Sequence, residues 1–254
     1  MLKQRALSTY AALAIAFLHA PLAVLILFSF NSSRFTVWEG FSLRWYHAAA
    51  RDPQLSDGLV NSVIIAMAAA VLSTLIGTFA AYGIWRRADG VLSGSLYLSL
   101  VTPEIVTGVA LLALFQGAFR FLHLRLGLWT VIIAHVAFSI AYVAIVISAR
   151  LRSYDRTLEE AAMDLGAGEW HAFTRVTLPA LAPAIAAAGL LALVVSFDDY
   201  VITSLVAGVD SQTLPMVIYA MARRGASPVI NAISAMIVVV FGALVLISER
   251  VQKS

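Results

Sequence analysis

The sequence predicts an all-α membrane protein with six transmembrane helices and one polar loop between the fourth and fifth. Three observations predict it. First, the 254 residues are 61% hydrophobic and only 12% charged, with a mean hydropathy of +0.89, whereas a soluble domain carries roughly 25% charged residues. Second, six apolar runs are long enough to cross a bilayer, which takes about 20 residues as a helix. Helices are selected because the backbone must satisfy its own hydrogen bonds in lipid. Third, a single charged, glycine-containing stretch, Glu159 to Pro183, interrupts the apolar pattern.

The spans are expected over about 11–30, 59–85, 95–119, 129–149, 180–207 and 231–247, all within one transmembrane domain covering 1–254. The first follows Lys3 and Arg5 and is too long for a signal h-region; with no small-x-small site after it, it is expected to be retained. The second ends on Arg86 and Arg87. The third contains Thr102-Pro103-Glu104, where the proline is expected to loosen the helix. The fourth carries His135 and the first His19; neither has a partner at metal-ligand spacing, so both are expected to make interhelical hydrogen bonds. The fifth holds Asp198 and Asp199 about 20 residues after Pro179, in its outer third. Phe28, Trp38, Trp45, Tyr46 and Trp129 suit interfacial belts.

Six spans put both termini on one side. With that side cytoplasmic, ten cationic residues (Lys3, Arg5, Arg86, Arg87, Arg150, Arg152, Arg156, Arg175, Arg250, Lys253) lie inside and seven (Arg34, Arg44, Arg51, Arg120, Arg125, Arg223, Arg224) outside. The positive-inside rule favours this orientation, which makes the loop 150–179 cytoplasmic.

That loop reads as two short helices meeting at a bend. Thr157 to Glu160 fits a capping box with Thr157 as N-cap, and Asp155 is an equal candidate start. Leu158, Ala161, Ala162 and Leu165 fall on one apolar stripe. Glu159, Glu160 and Asp164 fall on the other faces, the glutamates near the positive helix end. Gly166 is expected to form a left-handed cap, and Leu178-Pro179 to stop the second helix and begin span five. The pattern alone fits an interfacial hairpin and a docking element equally.

The chain's composition and motifs exclude several functions. No cysteine is present, which removes disulfides and Cys-based metal sites. The small net charge of +3 is spread along the chain and argues against nucleic acid. The only lysines are Lys3 and Lys253, so no G-x-x-x-x-G-K-[ST] loop exists and ATP use would need another subunit. No G-x-S-x-G occurs, which leaves an intramembrane hydrolase without its nucleophile motif. A secondary transporter using the intramembrane acids would leave the polar loop unexplained.

The spacing Glu160-Ala161-Ala162, Gly166, Val176, Leu178-Pro179 resembles the EAA loop of ABC-importer permeases, with Val176 where the family usually has Ile. Phe28 to Ser33, Trp38, Gly40-Phe41, Arg44 to Tyr46, and the stretch Leu214 to Ala232 resemble spermidine/putrescine permeases, in particular the second of their two membrane subunits. The resemblance implies a type I ABC importer permease fold whose coupling helix is carried by Glu160, Ala161, Ala162, Asp164, Leu165, Gly166, Leu178 and Pro179. It implies a permease subunit, not an enzyme, in a bacterial inner membrane with both termini cytoplasmic. The implied partners are a homologous permease, two copies of an ATPase and a periplasmic binding protein. No cofactor is then bound by this chain; ATP and Mg belong to the ATPase. A permease for another small solute, such as an amino acid, shares parts of the pattern.

The acids bear on the solute. An ionised acid at the bilayer centre costs about 2.5–3.5 kcal/mol on insertion scales, so Glu104, Asp198 and Asp199 should face protein or water. With Tyr200 they are the candidate pathway for a polyvalent cation, through charge pairing and cation–π contact. The alternative is pairing of an aspartate with an arginine or interfacial water. Adjacent helical residues point about 100° apart, so both aspartates are not expected to line one lumen equally.

Overall fold

In the computed structural model, residues 2–35, 37–87, 90–122, 125–225 and 227–253 are described, and all the regular elements among them are helices. The chain divides into two compact units: Met1–Ser56 with Val217–Ser254, and Asp57–Met216.

The first unit contains α1 (Leu2–Ser29), α2 (Arg44–Arg51) and α12 (Pro228–Lys253). Helix α12 packs against both α1 and α2. The chain between α1 and α2 is organised by Asn31, which is buried. Its Nδ2 donates to the Val37 carbonyl (2.8 Å), and its Oδ1 accepts from the Glu39 amide (3.0 Å). The Trp45 indole donates to the Asn31 carbonyl at 2.7 Å. Trp45, expected in an interfacial belt, is therefore a buried anchor of this loop; its indole N–H finds a backbone acceptor that a sequence pattern cannot show. Trp129 is exposed, as a belt residue would be.

The second unit holds most of α3 (Pro53–Arg87), followed by α4 (Gly90–Val101), α5 (Glu104–Leu122) and α6 (Leu128–Arg152). It continues through α7 (Thr157–Asp164), α8 (Glu169–Ala172), a π-turn (Phe173–Thr177), α9 (Leu178–Asp198) and α10 (Val201–Val206). Helix α11 (Leu214–Arg223) crosses the boundary between the units. Helices α3, α6 and α9 share a core rich in small residues, including Ala70, Ala81, Ala144, Ala188 and Ala192. Small side chains let backbones approach closely, which matters where lipid supplies no hydrophobic drive between helices. A Cβ placed on Gly77 would collide with Val143, so this glycine sets the α3–α6 approach. A second cluster, Ile65, Phe115, Val131, Ile132, Ile202 and Val206, joins α3, α5, α6 and α10.

Among the described residues, five helical stretches are long and apolar enough to cross a membrane: 7–29, 53–87, 104–121, 128–152 and 169–198. The expected sixth span lies on α12, whose described side chains end at Ala243; residues 244–247 of that span lie outside them. The side chains of Lys3, Arg5, Arg250 and Lys253, assigned to the inner side from the sequence, also lie outside the described ones.

Two spans depart from continuous helices. Where one helix was expected over 95–119, the chain breaks at Thr102-Pro103 into α4 and α5. Pro103 does more than loosen the helix, because it lacks an N–H and its ring opposes the preceding turn. Where one was expected over 180–207, α9 ends at Asp198 and α10 starts at Val201. Conversely, Leu178-Pro179 does not stop a helix: residues 169–198 run as one helical rod. The π-turn just before Pro179, in which the Leu178 amide reaches back to the Phe173 carbonyl, absorbs the proline.

Candidate functional site

The two breaks meet. Glu104 opens α5 directly after the first break, while Asp198, Asp199 and Tyr200 form the second. All four line one cavity of about 550 Å³, together with Thr102, Phe138 and Tyr142. This volume lies within the range of roughly 300–1,000 Å³ usual for small-molecule sites.

The two aspartates are not equivalent. Asp199 turns inward, with its side chain only 5% exposed. Its Oδ2 accepts from the Thr203 amide (2.8 Å) and the Thr203 hydroxyl (2.7 Å), and Oδ1 accepts from the Ile202 amide (3.3 Å). It thereby caps α10, as an aspartate at a helix start does. His135 of α6, fully buried, reaches the same group: Nε2 lies 2.9 Å from Thr203 Oγ1 and 3.4 Å from Asp199 Oδ2. Since the Thr203 hydroxyl donates to Asp199, it accepts from His135, which assigns the proton to Nε2. Nδ1 lies 2.7 Å from the Ser196 hydroxyl. His135 is thus the interhelical group its position suggested, and the partner of Asp199 is this histidine rather than an arginine. Asp198 and Glu104 are exposed, and neither forms a hydrogen bond or ion pair with another described residue. Asp198 ends α9, where the helix dipole is negative, and is followed directly by the charge of Asp199.

The segment between α6 and α9 is the second candidate region. Asp155, rather than Thr157, caps α7: its Oδ1 accepts from the Thr157 amide (3.0 Å) and hydroxyl (2.8 Å). These two donors hold the Asp155 carboxyl below its ordinary range, the side-chain bond contributing most. Glu160 does not reach back to the cap but pairs with Arg156 at 3.2 Å. Gly166 has φ +92°, and the amides of Gly166 and Ala167 donate to the Met163 (2.9 Å) and Ala162 (3.1 Å) carbonyls. That pattern is a Schellman cap, so Gly166 holds the expected left-handed position.

The apolar stripe on α7 is largely open among the described residues, with Ala162 half-buried. Leu158 is half-exposed and Leu165 is 91% exposed; Asp164 is exposed as well. Trp170 of α8 also lies open, stacked against Phe79 of α3 at 6.5 Å. Glu159 reverses its expected placement. It is 2% exposed and accepts from the Tyr82 hydroxyl (2.7 Å) and the Thr177 hydroxyl (2.9 Å). A helical wheel alone puts Glu159 and Glu160 together on the polar side. The one sequence signal for the difference is Tyr82 and Arg86, four residues apart at the end of a long apolar run.

Residues 73–254, which include both regions, match the model of the family described as binding-protein-dependent transport system inner membrane component. The chain belongs to this family. As a member of it, the protein is a multi-pass inner-membrane component of a transport system. It is 42% identical over 233 residues to the putrescine transport system permease protein PotI of Escherichia coli (strain K12), covering 89% of this chain and 83% of that protein. It is 36% identical over 242 residues to the spermidine/putrescine transport system permease protein PotC of Haemophilus influenzae, covering 94% and 93% of the two chains. Among solved structures, a bacterial ABC transporter involved in import of the acidic polysaccharide alginate matches with a TM-score of 0.71. The identity there is 15%, with 99% of this chain and 96% of that chain covered. An amino acid ABC transporter matches with a TM-score of 0.57 at 22% identity, covering 81% and 97%. This family member therefore has the ABC-permease fold.

Proposed function

We propose that this chain is a permease subunit of an ATP-driven importer of polyamines, putrescine or spermidine, and that the cavity at the two helix breaks lies on the solute's path. The observation that carries the cargo is the cavity's charge: Glu104 and Asp198 both line it without a partner among the described residues, beside Phe138, Tyr142 and Tyr200. Two separated carboxylates among aromatic rings suit a flexible chain with an amine at each end. The names of the relatives at 42% and 36% identity point to the same solutes.

The segment 150–179 is the cytoplasmic coupling element in this reading, with both termini on the same side. Its open stripe, Leu158, Ala161 and Leu165, meets the ATPase, whose two copies hold ATP and Mg. A homologous permease completes the membrane pair, and a periplasmic binding protein delivers the solute. ATPase closure displaces Glu160 to Gly166, and the rod from Glu169 through Leu178-Pro179 to Asp198 carries that displacement to the cavity. This chain makes and breaks no bonds of the solute.

Uptake by the reconstituted importer tests this against a panel of labelled putrescine, spermidine and amino acids. ATP-dependent uptake of a polyamine is expected, and Asp198→Asn or Glu104→Gln should impair it while assembly persists. Uptake of an amino acid in its place would overturn the cargo, and normal uptake by both variants would remove the acids from the path.

A further inference from the structure

Glu159 is an acid with an unusual location. It lies in the charged segment between α6 and α9, among exposed neighbours, yet its carboxylate is buried. Burying a charge is costly unless hydrogen bonds replace its hydration, and here every replacement comes from a different part of the chain. Oε1 accepts from the hydroxyl of Tyr82, at the end of α3. Oε2 accepts from Thr177, in the π-turn that begins the α9 rod. The Thr177 hydroxyl in turn accepts from Tyr154, just past the end of α6, at 3.3 Å. Arg86 closes the α3 side: Nη1 donates to the Tyr82 hydroxyl at 3.3 Å and lies 3.5 Å from Glu159 Oε1. The rings of Tyr82 and Phe173 pack alongside with centroids 4.4 Å apart.

We propose that Glu159 is a positioning residue that ties α7 to the ends of α3 and α9, so that a displacement of α7 moves both helices together. The inference rests on reading this segment as the coupling element. Without the tie, no hydrogen bond or ion pair among the described side chains joins α7 to α3 or α9, and Leu158, Ala161 and Leu165 on its apolar stripe are exposed. A push on α7 would then bend the loop, and the helices lining the cavity would stay in place. Glu160, one residue on, pairs among the described residues with exposed Arg156 alone and is itself exposed. The two adjacent glutamates therefore divide the work, one facing the partner and one holding the helix to its own membrane domain.

The test uses Glu159→Gln in the importer reconstituted with its partner subunits, reading ATP hydrolysis and solute uptake in the same vesicles. The expected result is a fall of about tenfold or more in solute moved per ATP, with hydrolysis retained. Tyr82→Phe and Thr177→Val should shift the ratio in the same direction by smaller factors. Adding Tyr82→Phe to Glu159→Gln should cost nothing further, since both break one linkage. An unchanged ratio, or additive losses, would overturn the proposal, as would hydrolysis and uptake falling in parallel, which marks lost docking instead. If Glu159→Gln fails to assemble, the two hydroxyl variants decide in its place: an unchanged ratio in both overturns the tie. Amide exchange on the full chain in detergent gives a reading independent of transport: residues 157–165 should exchange about tenfold faster in Glu159→Gln, with α6 unchanged. No change there refutes the tie whatever the chain carries, whereas faster exchange in an importer that moves no polyamine faults the cargo and leaves the tie standing.

Discussion

Asp198 and Asp199 are neighbours in sequence with the same side chain, and the structure predicts opposite consequences for losing them. Asp199→Ala removes the cap of α10, worth about 1 kcal/mol with a range of 0.5–2. It also removes the carboxylate acceptor of the buried Thr203 hydroxyl, at about 1–3 kcal/mol for an unsatisfied buried group. The sum is about 1.5–5 kcal/mol of stability. Asp198→Asn breaks no hydrogen bond to a described residue, so its cost should stay within about 0.5 kcal/mol. Its effect should fall on uptake instead. A charge-assisted hydrogen bond contributes about 1.5–3 kcal/mol, which corresponds to a rise of about 10- to 140-fold in the solute concentration needed for half-maximal uptake. Thermal midpoints of the two variants in detergent, read beside polyamine uptake in vesicles, separate the effects. Equal loss of stability from both substitutions would refute the division, as would normal uptake in Asp198→Asn.

Gly166→Val places a β-branched residue at φ +92° and should cost at least about 1–2 kcal/mol in local backbone energy; membrane insertion should persist while ATP-driven uptake is lost. Gly168→Ala two residues on should be tolerated, because Gly168 is extended with open space at its Cβ position; uptake measurements on the pair check both. Gly208→Ala should lower the thermal midpoint, since its Cβ would collide with the Leu126 carbonyl oxygen, a backbone atom, and such overpacking costs about 1–3 kcal/mol. For Asp155, a depressed folded-state pKa means that its contribution to α7 is present above the ordinary aspartate value of about 4. The contribution is lost as pH falls through the lower folded value, so exchange of the Thr157 amide should accelerate there, and Asp155→Asn should flatten that dependence.

Much of this was legible from period, length and special residues. Apolar runs of about 20 residues located five helical stretches long and apolar enough to cross a membrane, Gly166 announced its left-handed cap, and the acids marked the cavity because charge in a lipid-facing run needs a reason. What escaped the sequence depended on pairings between distant segments. Glu159 and Glu160 are indistinguishable until Tyr82 of α3 is known to stand over one of them. Trp45 looked like an interfacial aromatic because its partner, a backbone carbonyl at Asn31, carries no sequence mark. The prolines misled in opposite directions. Pro103 follows a turn with nothing to absorb it and breaks its helix, whereas Pro179 follows a π-turn whose extra residue removes the clash. Proline states a local constraint, and the preceding turn decides its outcome.

The helix breaks also determine which acid is left in need of a counter-charge. Three acids in a membrane domain would cost roughly 8–10 kcal/mol if lipid-exposed at mid-bilayer, and a break is a way to lower that cost. Glu104 stands in the first turn of α5, at the positive end of its dipole, an arrangement worth about 0.3–1 kcal/mol. Asp199 stands at the start of α10 and adds direct donors to that advantage. Asp198 gains neither, because it closes α9 at the negative end and sits beside a second carboxylate. The backbone at Asp199, extended at φ −66° and ψ 126°, is what lets adjacent aspartates part, one into the protein and one into the cavity. A continuous helix would have turned them only about 100° apart and left both without caps. The unmet negative charge is thus concentrated on Asp198, opposed by the helix that carries it. A cation entering the cavity relieves that opposition, and a neutral or anionic solute does not.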